Sequence, residues 1–351
     1  MPESAYKTTS VMVSLAALVV VIAGMRVAAP IIVPFIFSIF IAIICAPLLS
    51  WMTRHRVPAV LAVLIILSII LLIGFLLMLG IGTSAEQFSK AIPGYQANLQ
   101  GQFNMFINWL AELGIEVTGS GVRDAFNPGS AIKMINKLFD GLGNLFTNAF
   151  LILFTVLFIL LEASSFPAKL KAIVKQGNMR VDYIDHFLSS VQRYIGLKTA
   201  TSFVTGILVA SMLAIQGVDF PVLWGMLAFL LNYIPNIGSI IAAVPAVLLA
   251  LIQFGPGMAA GTALGYLVIN VVIGSVVEPR VMGKGMGLSV LVVFLSLVFW
   301  GWVFGPMGMI LSVPLTMLVK LAFENSESSQ WIAVLLGSET DTHVSTNQSN
   351  E

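Results

Sequence analysis

Residues 58–81 read PAVLAVLIILSIILLIGFLLMLGI, a run with one hydroxyl, Ser68, and no charged side chain. A helix of about 20 apolar residues crosses the hydrocarbon of a bilayer, and only a helix or a closed barrel satisfies its own backbone hydrogen bonds there. The run is long and unbroken, so a membrane-spanning helix is the reading. Toward the N-terminus, residues 11–29 and 34–51 are two more such runs, with Pro30 and Pro34 expected to mark a tight turn between them. The first run has no small-residue cleavage site and reads as a retained span rather than a signal peptide.

Composition agrees with lipid as the solvent. Of 351 residues, 58% are hydrophobic and 9% charged, against about 25% charged in a soluble domain. A water-facing surface cannot be built from that mixture. The net charge of +1 supplies no basic stripe for phosphates, which argues against a nucleic-acid partner. The single cysteine, Cys45, lies in an apolar run, so neither a disulfide framework nor a cysteine zinc cluster can form within the chain.

Past residue 81 the pattern becomes polar. Residues 83–140 read as an extracytoplasmic helical insert, with Phe103, Phe106, Ile107, Leu110 and Leu113 at helical spacing. They serve either for packing or for a lid. Residues 1–82 hold the N-terminal transmembrane helices and 141–162 another. Residues 163–194 form a cytoplasmic amphipathic segment whose apolar face is Ile184, Phe187, Leu188, Val191, Tyr194 and Ile195. Residues 195–320 form the transmembrane transport core, beginning with a fifth span at 195–215, and 321–351 a cytoplasmic polar tail. Lys7, the Arg54, His55 and Arg56 cluster and the Lys/Arg group at 169–193 fall on one side if each run crosses once. That side is expected to be cytoplasmic, with both termini on it.

The informative region follows Asp219, where apolar runs are short and broken. Residues 220–231 lead into Asn232-Tyr233-Ile234-Pro235-Asn236-Ile237-Gly238-Ser239 and then a second run, 240–254. After Glu278-Pro279-Arg280, residues 288–302 lead into Gly305-Pro306-Met307-Gly308 and then 309–319, closed by Lys320. The two pairs flank one full span, 257–277. Broken helices place dipole ends and free carbonyls where a solute can bind, which is a transporter pattern. The fold class is therefore an all-α integral membrane protein, a polytopic helical bundle of about six to eight membrane segments that includes two broken or re-entrant helical hairpins.

Asn232, Asn236 and Ser239 add donors and acceptors at the first break, where unpaired polar groups cost several kcal/mol. With Tyr233, Pro235 and the neighbouring-span Asn270 they make up the candidate solute site; the alternative is a tightly packed kink with Asn270 as interhelical glue. Glu278, Arg280 and Lys284 lie in a glycine-punctuated stretch read as a loop, either an ion pair that fixes it or a cytoplasmic gate. No HExxH pair, G-x-S-x-G elbow or Walker loop is present, and the histidines, His55, His186 and His343, lie in polar stretches. No enzyme, cofactor or metal site is expected. No ionisable group reads as central to a span, which weakens a cation antiporter reading.

The stretches FPVLWGMLAFLLNYIPNIGS (220–239) and EPRVMGKGMGLSVLVVFLSLVFWGWVFGPMGMILSVPLT (278–316), with PFIFSIFIAIICAPLL at 34–49, resemble the autoinducer-2 exporter family of bacterial membrane proteins. The resemblance covers most of the chain, and Ser289 after Gly287-Leu288 favours the subgroup associated with export of the quorum-sensing signal. It implies export of autoinducer-2, a small, uncharged, hydroxyl-rich molecule, across the inner (plasma) membrane by a homo-oligomer, with a pentamer expected. It also implies a runner-up, a sodium or lithium/proton antiporter. A non-transporting membrane scaffold or sensor is the third reading.

Overall fold

The structure is a computed structural model and describes residues 3–112, 148–163, 181–235, 237–282, 288–324 and 330–337. All of the regular elements among them are helices: α1 (Glu3–Val27), α2 (Ala29–Arg54), α3 (Ala59–Glu112), α4 (Ala149–Ala163), α5 (Val181–Gln216), α6 (Pro221–Leu231), α7 (Gly238–Phe254), α8 (Pro256–Asn270), a π-helix (Val271–Val277), α9 (Glu278–Met282), α10 (Val290–Ile310), α11 (Ser312–Glu324) and α12 (Gln330–Leu336). Five are long and apolar enough to cross a membrane, and shorter apolar helices accompany them among the described residues. The outward faces are apolar, with Leu71, Leu72, Phe75 and Leu76 of α3 all exposed, as lipid requires. The all-α polytopic reading holds.

The chain divides into two compact units, one of residues 1–63, 150–192 and 284–351, the other of residues 64–149 and 193–283. In the first, α1 joins α2 through a single residue, Ala28 (φ −82°, ψ 1°). The turn expected at Pro30 and Pro34 is displaced: Pro30 sits in the first turn of α2 and Pro34 inside the helix. A proline near a helix start removes an N–H that has no intrahelical partner anyway, so it does not end the helix. Ser38 Oγ donates to Pro34 O (2.7 Å) and to Ile152 O (3.2 Å), joining α2 to α4.

The second broken pair lies in this unit. Helix α10 is two helices meeting at Gly305, whose φ of 67° and ψ of −152° are not helical. Past the break the chain folds back: a Cβ on Gly308 would strike the Trp300 carbonyl, and one on Gly301 would come 2.8 Å from Met309 Cγ. Trp300 Nε1 donates to Thr316 Oγ1 at 3.0 Å, holding α11 against the incoming arm. Ser289 caps that arm by accepting from Val292 N (3.2 Å) and donates its own N–H to Leu336 O of α12 (3.2 Å). Arg26 of α1 stacks its guanidinium 4.6 Å over the Trp302 ring.

In the second unit, α3 is 54 residues long, about 80 Å at 1.5 Å per residue, while the hydrocarbon is about 30 Å thick. It runs without a break past residue 82, and its polar half from Thr83 onward must leave the hydrocarbon. Residues 113–147 of the insert lie outside the described residues. Helices α6 and α7, of 11 and 17 residues, are about 16 and 26 Å long and too short to span separately. They pack on each other as a hairpin.

Small residues decide how that hairpin sits on α5. A Cβ on Gly225 would lie 2.6 Å from Gly206 O and 2.7 Å from Ala210 Cβ, and a Cβ on Gly206 would lie 2.8 Å from Gly225 O. The two backbones are in contact, as small residues permit between helices in lipid. Substituting leucine at Gly225 should wedge them apart and destabilise the protein by about 1–3 kcal/mol, seen as earlier thermal unfolding in detergent. Gly261→Leu is the control: a Cβ there meets nothing within 4 Å, so its unfolding should match that of the parent.

Candidate functional site

Helices α5 and α6 run antiparallel past the Gly206–Gly225 contact, and their register brings the first hairpin's tip onto one stripe of α5. Phe203 packs edge-on against Phe229 (6.5 Å between centroids), and Phe229 against Tyr233 (5.8 Å). At the same level, Asn232 Nδ2 donates to Ser202 Oγ (3.0 Å), with Asn232 buried at 8% exposure and Ser202 fully so. The Tyr233 hydroxyl donates to Thr199 Oγ1 (2.8 Å), and that hydroxyl donates onward to Ile195 O (2.7 Å).

The tip is a tight turn. Helix α6 ends at Leu231, Ile234 N bonds to Leu231 O (2.9 Å), Ile237 N reaches Pro235 O (2.6 Å), and Gly238 starts α7. A Cβ on Gly238 would collide with the Leu231 carbonyl, so the arms can close only around a glycine. Both hairpins thus pack a glycine of the outgoing arm onto a backbone carbonyl of the incoming one.

The base of the first hairpin is also fixed. Asp219 accepts from Tyr95 Oη of α3 (2.7 Å) and from the Gln253 amide at the end of α7. Trp224 Nε1 donates to the Asp219 carbonyl (3.0 Å). Between base and tip lies an apolar core that includes Val209, Leu213, Leu223, Trp224, Leu227 and Leu249.

One turn from Ser202 on the same stripe is Lys198, 5% exposed. Its Nζ donates to Glu278 Oε1 at 2.7 Å, with the two side chains 6% and 15% exposed. Glu278 was expected in a loop; instead α9 extends α8 and the π-helix through Met282, and the glutamate sits where the π-helix returns to α. Seven π residues are unusual, since π-turns occur mostly as single-turn bulges and often at functional sites. Arg280 is exposed on the same helix.

Of the expected solute-site residues, Asn232 and Tyr233 are brought onto α5. Pro235 is half-buried in the turn and supplies its carbonyl to Ile237. Ser239 is half-buried on the first turn of α7. Asn270 is not gathered in: its Oδ1 lies over Gly274 of its own helix, 3.4 Å from where a Cβ would be. Asn236 and Lys284 lie outside the described residues. Lys198, Thr199 and Ser202 were not expected, though Lys198, Ser202 and Thr205 recur at helical spacing inside an apolar run. That stripe is the signal by which they could have been found.

Two measurements check this geometry. Asn232→Ala and Ser202→Ala should each weaken the tip, with a coupling energy between them of about 0.6–1.7 kcal/mol in a double-mutant cycle of unfolding. Lys198→Met alone should cost about 3–5 kcal/mol by stranding a buried carboxylate, and most of that loss should return in the Lys198→Met/Glu278→Leu pair.

Comparison with known proteins places this architecture. Residues 15–328 match the family described as AI-2E family transporter. The Escherichia coli AI-2 transport protein TqsA is 43% identical over 93% of this chain and 95% of its own length. A Haemophilus influenzae protein is 39% identical over 94% of this chain and 97% of its own, and E. coli YhhT 34% over 93% and 94%. This chain, a multi-pass helical membrane protein, therefore belongs to the AI-2E transporter family.

Proposed function

We propose that this protein exports autoinducer-2, a small, uncharged, hydroxyl-rich signal, across the bacterial inner membrane, with both chain termini on the cytoplasmic side. The observation that carries the reading is the 43% identity, spread over nearly the whole of both chains, to a protein named for AI-2 transport. The tip of the first hairpin supports it chemically. Asn232, Ser202, Thr199 and Tyr233 offer neutral donors and acceptors in apolar surroundings, which suits a polyol better than an ion.

Their mutual bonds also suggest how a solute is exchanged. Each hydroxyl or amide that bonds across the α5–hairpin contact can instead bond a solute hydroxyl, at little net cost, because one hydrogen bond replaces another. Asn236, Ser239 and Asn270 remain part of the proposed site, as residues that a movement of the hairpin would bring to the solute.

A second reading, a sodium or lithium/proton antiporter, gains from the buried Lys198–Glu278 pair, because ionisable residues in membrane segments mark ion or proton pathways. One preparation decides between the readings. Proteoliposomes should move labelled autoinducer-2 faster than protein-free vesicles, and a sodium or lithium pulse should leave the internal pH unchanged. Label movement equal to that of empty vesicles, together with a cation-driven pH change, reverses the order of the two.

A further inference from the structure

We propose that Glu278 is the proton-binding site that couples solute export to a proton gradient, with Lys198 as its internal counter-charge. The proposal rests on the transport reading above and adds to it an energy source and a residue.

Three observations converge on the pair. First, its position is expensive: both side chains are largely withdrawn from solvent, and a buried ion pair is weak evidence for stability because desolvation offsets the attraction. In membrane segments such groups usually belong to ion or proton pathways. Second, Glu278 directly follows a seven-residue π-helix, a backbone form found mostly as single-turn bulges and often at functional sites. Third, Lys198 stands on the same stripe of α5 as Thr199 and Ser202, which hold the hairpin tip. A change at Glu278 is therefore one helical turn from the groups that bind the tip.

Among the described residues, the charged and titratable groups around Glu278 are few. From α5 it meets Lys198 and, within electrostatic reach, the buried Tyr194. From the hairpin turn comes Tyr233, which lies within reach of Tyr194. Arg280 on its own helix is exposed. No second carboxylate competes for the proton among these groups.

The step is simple in its balance. With the pair intact, carboxylate and ammonium cancel. A proton from solution adds to a Glu278 carboxylate oxygen, forming one O–H bond; the attraction to Lys198 is lost, and an uncompensated ammonium remains in a buried site. That state favours a rearrangement that gives the Lys198 ammonium water or hydroxyl partners. Release of the same proton to the opposite solution restores the pair. No other bond forms or breaks, and one positive charge crosses with each cycle.

The test uses the full-length protein in proteoliposomes. Labelled autoinducer-2 is followed in exchange without a gradient and in accumulation under an imposed pH gradient. The wild type is expected to do both. Glu278→Gln should still show measurable exchange, while its gradient-driven accumulation falls about ten-fold or more relative to exchange. Should the lone substitution fail to fold, Lys198→Gln/Glu278→Gln removes both charges together and is expected to give the same loss. Infrared difference spectra between alkaline and acidic buffer should show, in the wild type, a component of the protonated-carboxyl band that the double variant lacks, the rest of the band coming from the chain's other carboxylates.

Wild-type exchange with no response to the gradient overturns the coupling and leaves transport standing. A double variant that accumulates solute as the wild type does, or whose carboxyl band has lost no component, overturns the assignment of Glu278. Absence of exchange in the wild type overturns the transport reading, and the coupling falls with it.

Discussion

Helices α5 and α6 touch backbone to backbone at Gly206 and Gly225, and the rest of the second unit depends on that approach. Lipid provides no hydrophobic drive for helices to associate, so association rests on close packing and on hydrogen bonds that packing allows. With any larger side chain at these two positions, the helices would separate by the width of a methyl group or more. Asn232 would then no longer reach Ser202, nor Tyr233 reach Thr199, since both bonds are already at full hydrogen-bond length (3.0 and 2.8 Å).

The hairpins extend the same logic. Each reverses direction inside an apolar chain segment, which exposes carbonyls and amides that lipid cannot satisfy. Gly238 and Gly308 let the outgoing arm lie directly on the incoming carbonyls, so the break is shielded by protein. The first hairpin is pinned at both ends, by Asp219 at the base and by α5 at the tip, with the apolar core and the Gly206–Gly225 backbone contact between. A solute that competes for the tip bonds therefore acts on the less permanent end, because the base is held by a carboxylate with two side-chain donors and the tip by neutral pairs.

Polarity along α5 gives the site its character. Lys198, Thr199, Ser202 and Thr205 occupy one side of the helix, and three of the four are buried below a tenth of their surface. Burial of such groups is tolerated only when each has a partner. Thr205 donates to Thr201 O of its own helix, while Lys198, Thr199 and Ser202 take partners from two separate stretches of chain, Glu278 and the 232–233 turn, so the stripe is the surface on which those stretches converge. Hydrogen-bonded neutral groups and one ion pair are adjacent on a helix, so the proposed solute site and the buried charge pair lie within a turn of each other.

The sequence by itself determined the membrane class, the helical type and both breaks. These are local properties: a run such as 58–81 has no soluble alternative, and the paired proline and glycine at 235–238 and 305–308 break the helix there. It misplaced the first turn, because proline is compatible with a helix start and only the path of the chain shows that Pro34 continues one. It placed Asn232 and Tyr233 at a break but could not supply their partners, which lie 30 and 34 residues away. Tertiary structure alone decided that Glu278 answers Lys198 across 80 residues. Which charges meet inside a membrane depends on helix register and rotation, and those are fixed by contacts such as Gly206 on Gly225 that no single segment encodes.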